Sequence, residues 1–147
     1  MKLFEISRHT YYHGASQYLP VGTILRGRGD DYADEWGDNK FYQILEYYRP
    51  KNMLAHNESV FMTDNDEDLD AAGGGTDWVF TLLPASRIER HDMNWGSEIT
   101  MILDDTNDFS DPRFIESATN YWNGTPSYDP LWEYLTPSAK ILTVEEF

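Results

Sequence analysis

The stretch Tyr12-His13-Gly14-Ala15-Ser16 is the part of the chain whose residue types best suit chemistry. A histidine at a strand end can point its imidazole into a cleft, and a glycine after it leaves room for a ligand against the backbone. The competing reading is a turn histidine that hydrogen-bonds its own loop. Other groupings fail on their spacing. His9 and His13 stand four apart, as in a zinc-protease helix, but residue 10 is Thr where that motif carries Glu, and Thr10-Tyr11-Tyr12 with Gly14 makes a poor helix. In a strand the two histidines would share a face yet sit too far apart for easy joint ligation. Asp64-Asn65-Asp66-Glu67-Asp68 opens like a calcium loop, but Leu69 and Gly75 occupy the places that require Gly and Glu. Those carboxylates, and the Asp104-Asp105-Thr106-Asn107-Asp108 cluster, instead suit helix N-termini. No metal site is therefore expected. Gly27-Arg28-Gly29 lacks the rest of any phosphate-loop or dinucleotide motif, and there is no serine elbow.

The elements that must position these residues are short. Tyr11-Tyr12-His13 is β-prone and stops at Gly14, Pro20-Val21-Gly22 signals a turn, and Thr23 to Arg26 predicts the next strand. Gly27, Gly29 and Asp30-Asp31 break the pattern into a loop. A helix capped by Asp38 or Asn39 carries Phe41, Ile44, Leu45 and Tyr48 on one face and ends at Pro50. Val60-Phe61-Met62 reads as a buried strand end. Asp64 with Glu67 resembles a capping box for a short helix through Ala72, closed by Gly73-Gly74-Gly75. Trp78 to Leu83, Ile88 to Asp92 and Ile99 to Leu103 predict three further strands. Asp111-Pro112 opens a helix with Phe114, Ile115, Ala118, Tyr121 and Trp122 along one face, ending at Gly124. Leu131-Trp132 and Ile141 to Val144 are the last apolar runs. About seven strands and three helices without regular alternation predict an α+β fold, a mixed or antiparallel sheet core with helices at its edge.

With these elements in place, Tyr12-His13-Gly14-Ala15-Ser16 and the following Leu19-Pro20-Val21-Gly22-Thr23 resemble the first motif of the ADP-ribosyltransferase superfamily. The likeness is to its histidine-containing branch, that of the poly-ADP-ribose polymerases and rifampin ADP-ribosyltransferase. The resemblance implies a small transferase fold that uses NAD as a substrate. His13 would bond the nicotinamide ribose and the Gly14 backbone its carboxamide, with Tyr12 and Ser16 beside them. Val60-Phe61-Met62-Thr63-Asp64, followed by Leu69 to Ala72, is similar to the second motif. Phe61 would pack on the nicotinamide, with Thr63 as the hydroxylated neighbour. The family often has tyrosine at the Phe61 position, so stacking survives here and a phenol hydrogen bond does not. Trp132-Glu133-Tyr134-Leu135-Thr136 resembles the third motif, which gives Glu133 the role of stabilising the oxocarbenium-like ribose as nicotinamide leaves. Asp92 is the rival, because the rifampin enzymes carry their acidic residue soon after a similar strand-proline segment. Leu131 stands where arginine-modifying toxins have a second Glu or Gln, which speaks against arginine as the acceptor. Arg26 or Arg28 would meet the pyrophosphate, or would simply pair with Asp30-Asp31.

Composition bounds the partners. A chain of 147 residues, 40% hydrophobic and 15% aromatic, is a single domain able to bury a core. With 26 acidic and 11 basic residues the net charge is -15, which argues against direct nucleic-acid binding and against docking on anionic membranes. It leaves room for a basic partner or acceptor. The absence of cysteine removes disulfides, thiolate zinc and a cysteine nucleophile, and fits the cytoplasm. No apolar run is long enough for a membrane helix, and Glu5 and Arg8 interrupt what a signal peptide would keep apolar. Two function classes follow. One is an NAD-dependent mono-ADP-ribosyltransferase, with NAD hydrolysis as its variant. The other is a non-catalytic acidic binding or inhibitor protein that occupies a basic nucleic-acid-binding surface of a partner. They part on whether His13, Phe61 and Glu133 line one cleft.

Overall fold

The computed structural model describes residues 9–27, 40–69 and 76–147. Within them the chain is α+β: seven strands in two antiparallel sheets and three α-helices. The strands are β1 (Tyr11–Ala15), β2 (Ile24–Arg26), β3 (Val60–Met62), β4 (Trp78–Ala85), β5 (Glu89–Asp92), β6 (Trp132–Thr136) and β7 (Ser138–Glu146). The helices are α1 (Lys40–Tyr47), α2 (Asn94–Leu103) and α3 (Pro112–Trp122). One sheet runs β1-β4-β7-β2 and the other β3-β6-β5. They meet at one corner, where Tyr12 and Thr63 exchange both backbone hydrogen bonds at 2.8 and 2.9 Å. The strands thus follow one another as β2-β7-β4-β1 and then β3-β6-β5 across that corner.

Strand alternation divides the β3-β6-β5 sheet into two working faces. Val60, Met62 and Tyr134 join Tyr11, Phe80, Leu82, Ala139 and Ile141 in a core between the sheets. Glu133 and Leu135 alternate with Tyr134 along β6 and face the other way, toward the helices. There Ile44, Leu45, Ile99, Ile102, Phe114 and Trp122 form a second core. The Trp122 indole donates to the Leu45 carbonyl at 2.7 Å, tying α3 to α1.

Local chemistry explains most boundaries. Asp111 accepts from the Arg113 amide at 2.9 Å with Pro112 in the first turn, and Gly124 takes φ +70° at the helix end. Gly22 takes φ +94° in the Pro20 turn, which a side chain would strain. Gly27 passes so close to the Glu58 backbone that a Cβ would stand 2.2 Å from its carbonyl carbon. Three expectations need correction. Ile99 to Leu103 is helix rather than strand: Gly96, Ile99 and Ile102 are buried at a spacing of three while Met101 is exposed. A five-residue apolar run carries too little periodicity to separate the two. The capping residue near Asp64 is Asn65, whose side chain accepts from the Glu67 amide at 3.0 Å to start a 3₁₀ turn over Asp66–Asp68. On α3, Ile115 is exposed and Ser117 takes the inner place, because the buried stripe is Phe114, Ser117, Ala118, Tyr121 and Trp122. Arg28, Gly29, Asp30-Asp31, the Asp38 or Asn39 cap and Gly73-Gly74-Gly75 lie outside the described residues.

Candidate functional site

His13 sits half-buried on β1, on the side of Tyr11 and therefore between the sheets. Its ring stacks with Phe80 at 6.2 Å between centroids, and Nδ1 donates to the Phe61 carbonyl at 2.7 Å. The imidazole thus clasps β1 to β3 beside the corner bridge. Tyr12 faces the opposite way and lends its backbone to Thr63. Thr63 is buried, with its hydroxyl donating to the Asn65 carbonyl at 2.9 Å, and Ser16 is exposed in the bend after β1. A Cβ on Gly14 would lie 2.6 Å from Thr76 Oγ1, so a threonine side chain fills the space the glycine leaves. That hydroxyl has no hydrogen-bond partner among the described residues.

The expected site residues do not all converge. Arg26 lies on β2, the far edge of the β1-β4-β7-β2 sheet, three strand spacings or roughly 14 Å from β1. The Phe61 ring points to the helix side, edge-on to His56 at 5.8 Å. Glu133 is on that side too, only 2% exposed. Phe61 and Glu133 therefore share a face, and His13 stands on the other. Period-two alternation on β6 enforces this, since Glu133 must oppose the Tyr134 that packs against Tyr11. Asp92 is the carboxylate on the His13 side, opposite Trp132 and in step with Arg90 and Tyr134. It is fully buried and accepts from the amides of Ser127, Asn94 and Leu131 at 2.7, 3.0 and 3.1 Å. Burial alone would raise its pKa, but these hydrogen bonds outweigh it and hold the carboxylate low. Arg90 lies over the Trp132 ring at 3.9 Å, a cation on the same face. Nearby, Tyr134 donates to Asp64 at 2.9 Å, and burial, the hydrogen bond and the charge of Asp64 push its phenol up to about 12.

The helix side holds a wired network. His56 bonds Glu46 Oε2 through Nδ1 at 2.7 Å and the Tyr121 hydroxyl through Nε2 at 2.7 Å. That hydroxyl lies 2.6 Å from Glu133 Oε2. Burial would raise the Glu46 pKa, but the bonds from His56 and its charge, with Arg49, hold it below the ordinary value. Glu46, His56, Tyr121 and Glu133 are thus joined in one series of side-chain hydrogen bonds. Beside this chain, His91 stacks on the Tyr121 ring at 4.5 Å and donates from Nδ1 to the Tyr121 carbonyl at 2.7 Å. Its Nε2 faces Glu89 Oε1 at 3.2 Å, and Arg87 also pairs with Glu89. Burial first, then the Glu133 charge, drives the Tyr42 phenol far above its ordinary pKa.

A cavity of about 280 Å³ opens against Glu133, walled by Phe41, Tyr42, Leu45, Gly96 and Leu131. Glu133 Oε1 is buried with no hydrogen-bond partner among the described residues. Sequence reasoning reached Glu133 but missed Glu46, His56 and Tyr121, which come from three separate elements and form no local motif. Among the described residues no three of His, Cys, Asp and Glu are grouped to hold a metal ion. Nor is any described helix long and apolar enough to cross a membrane. Comparison with models of protein families and with curated proteins finds no match to the chain.

Proposed function

We propose that the protein is an NAD-dependent ADP-ribosyltransferase of the cytoplasm that works on the intersheet side of the β1–β3 corner. One observation carries this: the strands bearing the three sequence motifs are consecutive neighbours, β1 bridged to β3 and β3 paired with β6. His13 fixes that junction through its bond to the Phe61 carbonyl. In this reading His13 and the Gly14 backbone meet the nicotinamide riboside, and Asp92 rather than Glu133 supplies the negative charge. A carboxylate held ionised by three backbone amides is suited to stabilising a developing cation, because it needs no reorganisation as the cation forms. The glycosidic C–N bond breaks with its electron pair passing to the nicotinamide nitrogen, the acceptor nucleophile bonds C1′, and its proton is released. A net charge of -15 favours a basic macromolecule as acceptor.

The test is incubation with labelled NAD and basic acceptor proteins, beside His13→Ala and Asp92→Asn. NAD binding by titration and label transfer should both fall at least about tenfold in His13→Ala, with transfer alone falling in Asp92→Asn. Equal signals from wild type and both variants would remove the catalytic assignment. Absence of NAD binding would remove the site, and the acidic binding-protein reading would replace it.

A further inference from the structure

We infer that the free edge of β2 binds an extended acidic segment of a partner protein, which adds to the β1-β4-β7-β2 sheet as a fifth strand. The inference is independent of NAD chemistry, since β2 lies at the opposite edge of that sheet from β1. Three observations converge. First, β2 pairs with β7 alone, so half of its backbone groups are left over. The Thr23 carbonyl accepts from the Ile141 amide at 2.9 Å, which makes Thr23 and then Leu25 the hydrogen-bonded positions of that ladder. The N–H and C=O groups of Ile24 and Arg26 therefore turn to the open edge, where they meet no other backbone group among the described residues. Such an edge is a template for another strand. Second, Arg26 and Lys140 are exposed and make no ion pair among the described residues, whereas Arg49, Arg87 and Arg113 each hold a carboxylate. Register sets Lys140 opposite Ile24 and Arg26 opposite Ser138, so the two cations are diagonal neighbours on one face, roughly 7 Å apart at the backbone. Two adjoining cations left unpaired in a chain of net charge -15 select an anionic partner at that place. Third, apolar surface surrounds them. Lys140 stands between Ile24 and Leu83 on the neighbouring strands, and these are 48% and 55% exposed.

Strand alternation sets the pattern of the segment. Its residues on the side of Arg26 are acidic, and the residues between them share the side of Leu25, which packs against the intersheet core, and are apolar. A second copy of the chain suits the edge less well. Pairing β2 with its own copy about a two-fold axis sets two Arg26–Lys140 pairs beside each other without an anion. An anionic membrane would attract these two cations but repel the molecule as a whole.

The probe is a capped heptapeptide alternating valine and glutamate, titrated into the full chain by calorimetry and NMR. Its controls are a valine–lysine counterpart and a block isomer of the probe's own composition. The glutamate peptide should bind at least about tenfold tighter than either control. Its binding should protect the Ile24 and Arg26 amides from hydrogen exchange and leave the Leu25 amide, already turned to β7, unchanged. Reversing both charges, Arg26→Glu with Lys140→Glu, should switch the preference to the lysine peptide while the melting temperature holds. Ile24→Pro removes one edge donor where proline is tolerated, because that N–H faces outward, and should weaken binding at least about tenfold. No binding, equal binding of either control, or an unswitched preference in the charge-reversed variant would overturn the inference. So would protection of the same amides that rises with protein concentration in the absence of peptide, which would give the edge to a second copy.

Discussion

The two faces of the β3-β6-β5 sheet are built from the same short strands, yet they solve polar burial in opposite ways. On the intersheet face, beside a side-chain pair of Tyr134 and Asp64, His13 is closed off by the Phe61 carbonyl and Asp92 by three amides. Each is pinned by partners with fixed positions, and aromatic rings fill the space around them. On the helix face the partners are side chains from α1, α3 and the 3₁₀ turn over His56–Glu58, linked in series from Glu46 to Glu133. A series has an end, and this one ends on an oxygen without a donor beside a cavity. Backbone closure sets each group against an immobile partner, whereas side-chain closure makes each group depend on the next. Alternation along one strand is enough to place both, with Trp132 and Tyr134 on one side and Glu133 on the other.

Breaking the series should cost most. Tyr121→Phe removes the hydroxyl that serves both His56 Nε2 and Glu133 Oε2 and leaves two buried polar groups without it. The expected loss is about 3 kcal/mol in urea unfolding, in the range for stranding a buried charge. A loss below about 1 kcal/mol would mean that the neighbours or water close the gap, and the contrast between the faces would fail. Asp92→Asn tests the backbone-closed face. It keeps the shape but turns an amide NH₂ toward at least one of the three backbone donors, so about 2 kcal/mol should be lost. His13→Ala should follow at about 1 kcal/mol, one half-buried hydrogen bond and a ring contact, and the proposed NAD site predicts a much larger effect on NAD binding. A stability loss for His13→Ala that rivals Tyr121→Phe would make His13 structural first.

How much of this was legible beforehand follows from where the signals are written. Local signals were readable: the Asp111-Pro112 helix start, the Gly124 stop and the strands around Phe61 and Trp78 depend on residues adjacent in the chain. The run Ile99 to Leu103 was misread because its helical spacing shows only when Gly96 is counted with Ile99 and Ile102. The face of Glu133 was fixed by parity once Tyr134 was known to pack on Tyr11, but nothing local says which parity is inward. His56 and Tyr121 are 65 residues apart, and Arg26 is placed by β-sheet order rather than by its neighbours. Pairings of that kind are tertiary facts that no window along the sequence contains.

The smallest expected effect is also the most specific to the helix face. Glu46 is held below its ordinary pKa, so it binds its proton less readily in the folded state than in the unfolded one. Its contribution to stability is therefore present in full above the ordinary glutamate value, about 4.3, and is lost as the pH falls through the lower folded value. Because the Glu46 side chain is 30% exposed, solvent screening reduces that contribution to about 0.5 kcal/mol. Glu46→Gln should accordingly flatten the acid limb of a stability–pH curve below about pH 4.3 by that amount. Asp92 titrates in nearby acid and with the same sign, so the comparison must be made as a difference between wild type and Glu46→Gln, in which the Asp92 contribution cancels. If the acid limb does not change, Glu46 is not coupled to His56 in solution. The hydrogen-bonded series would then start at His56 rather than at a carboxylate on α1.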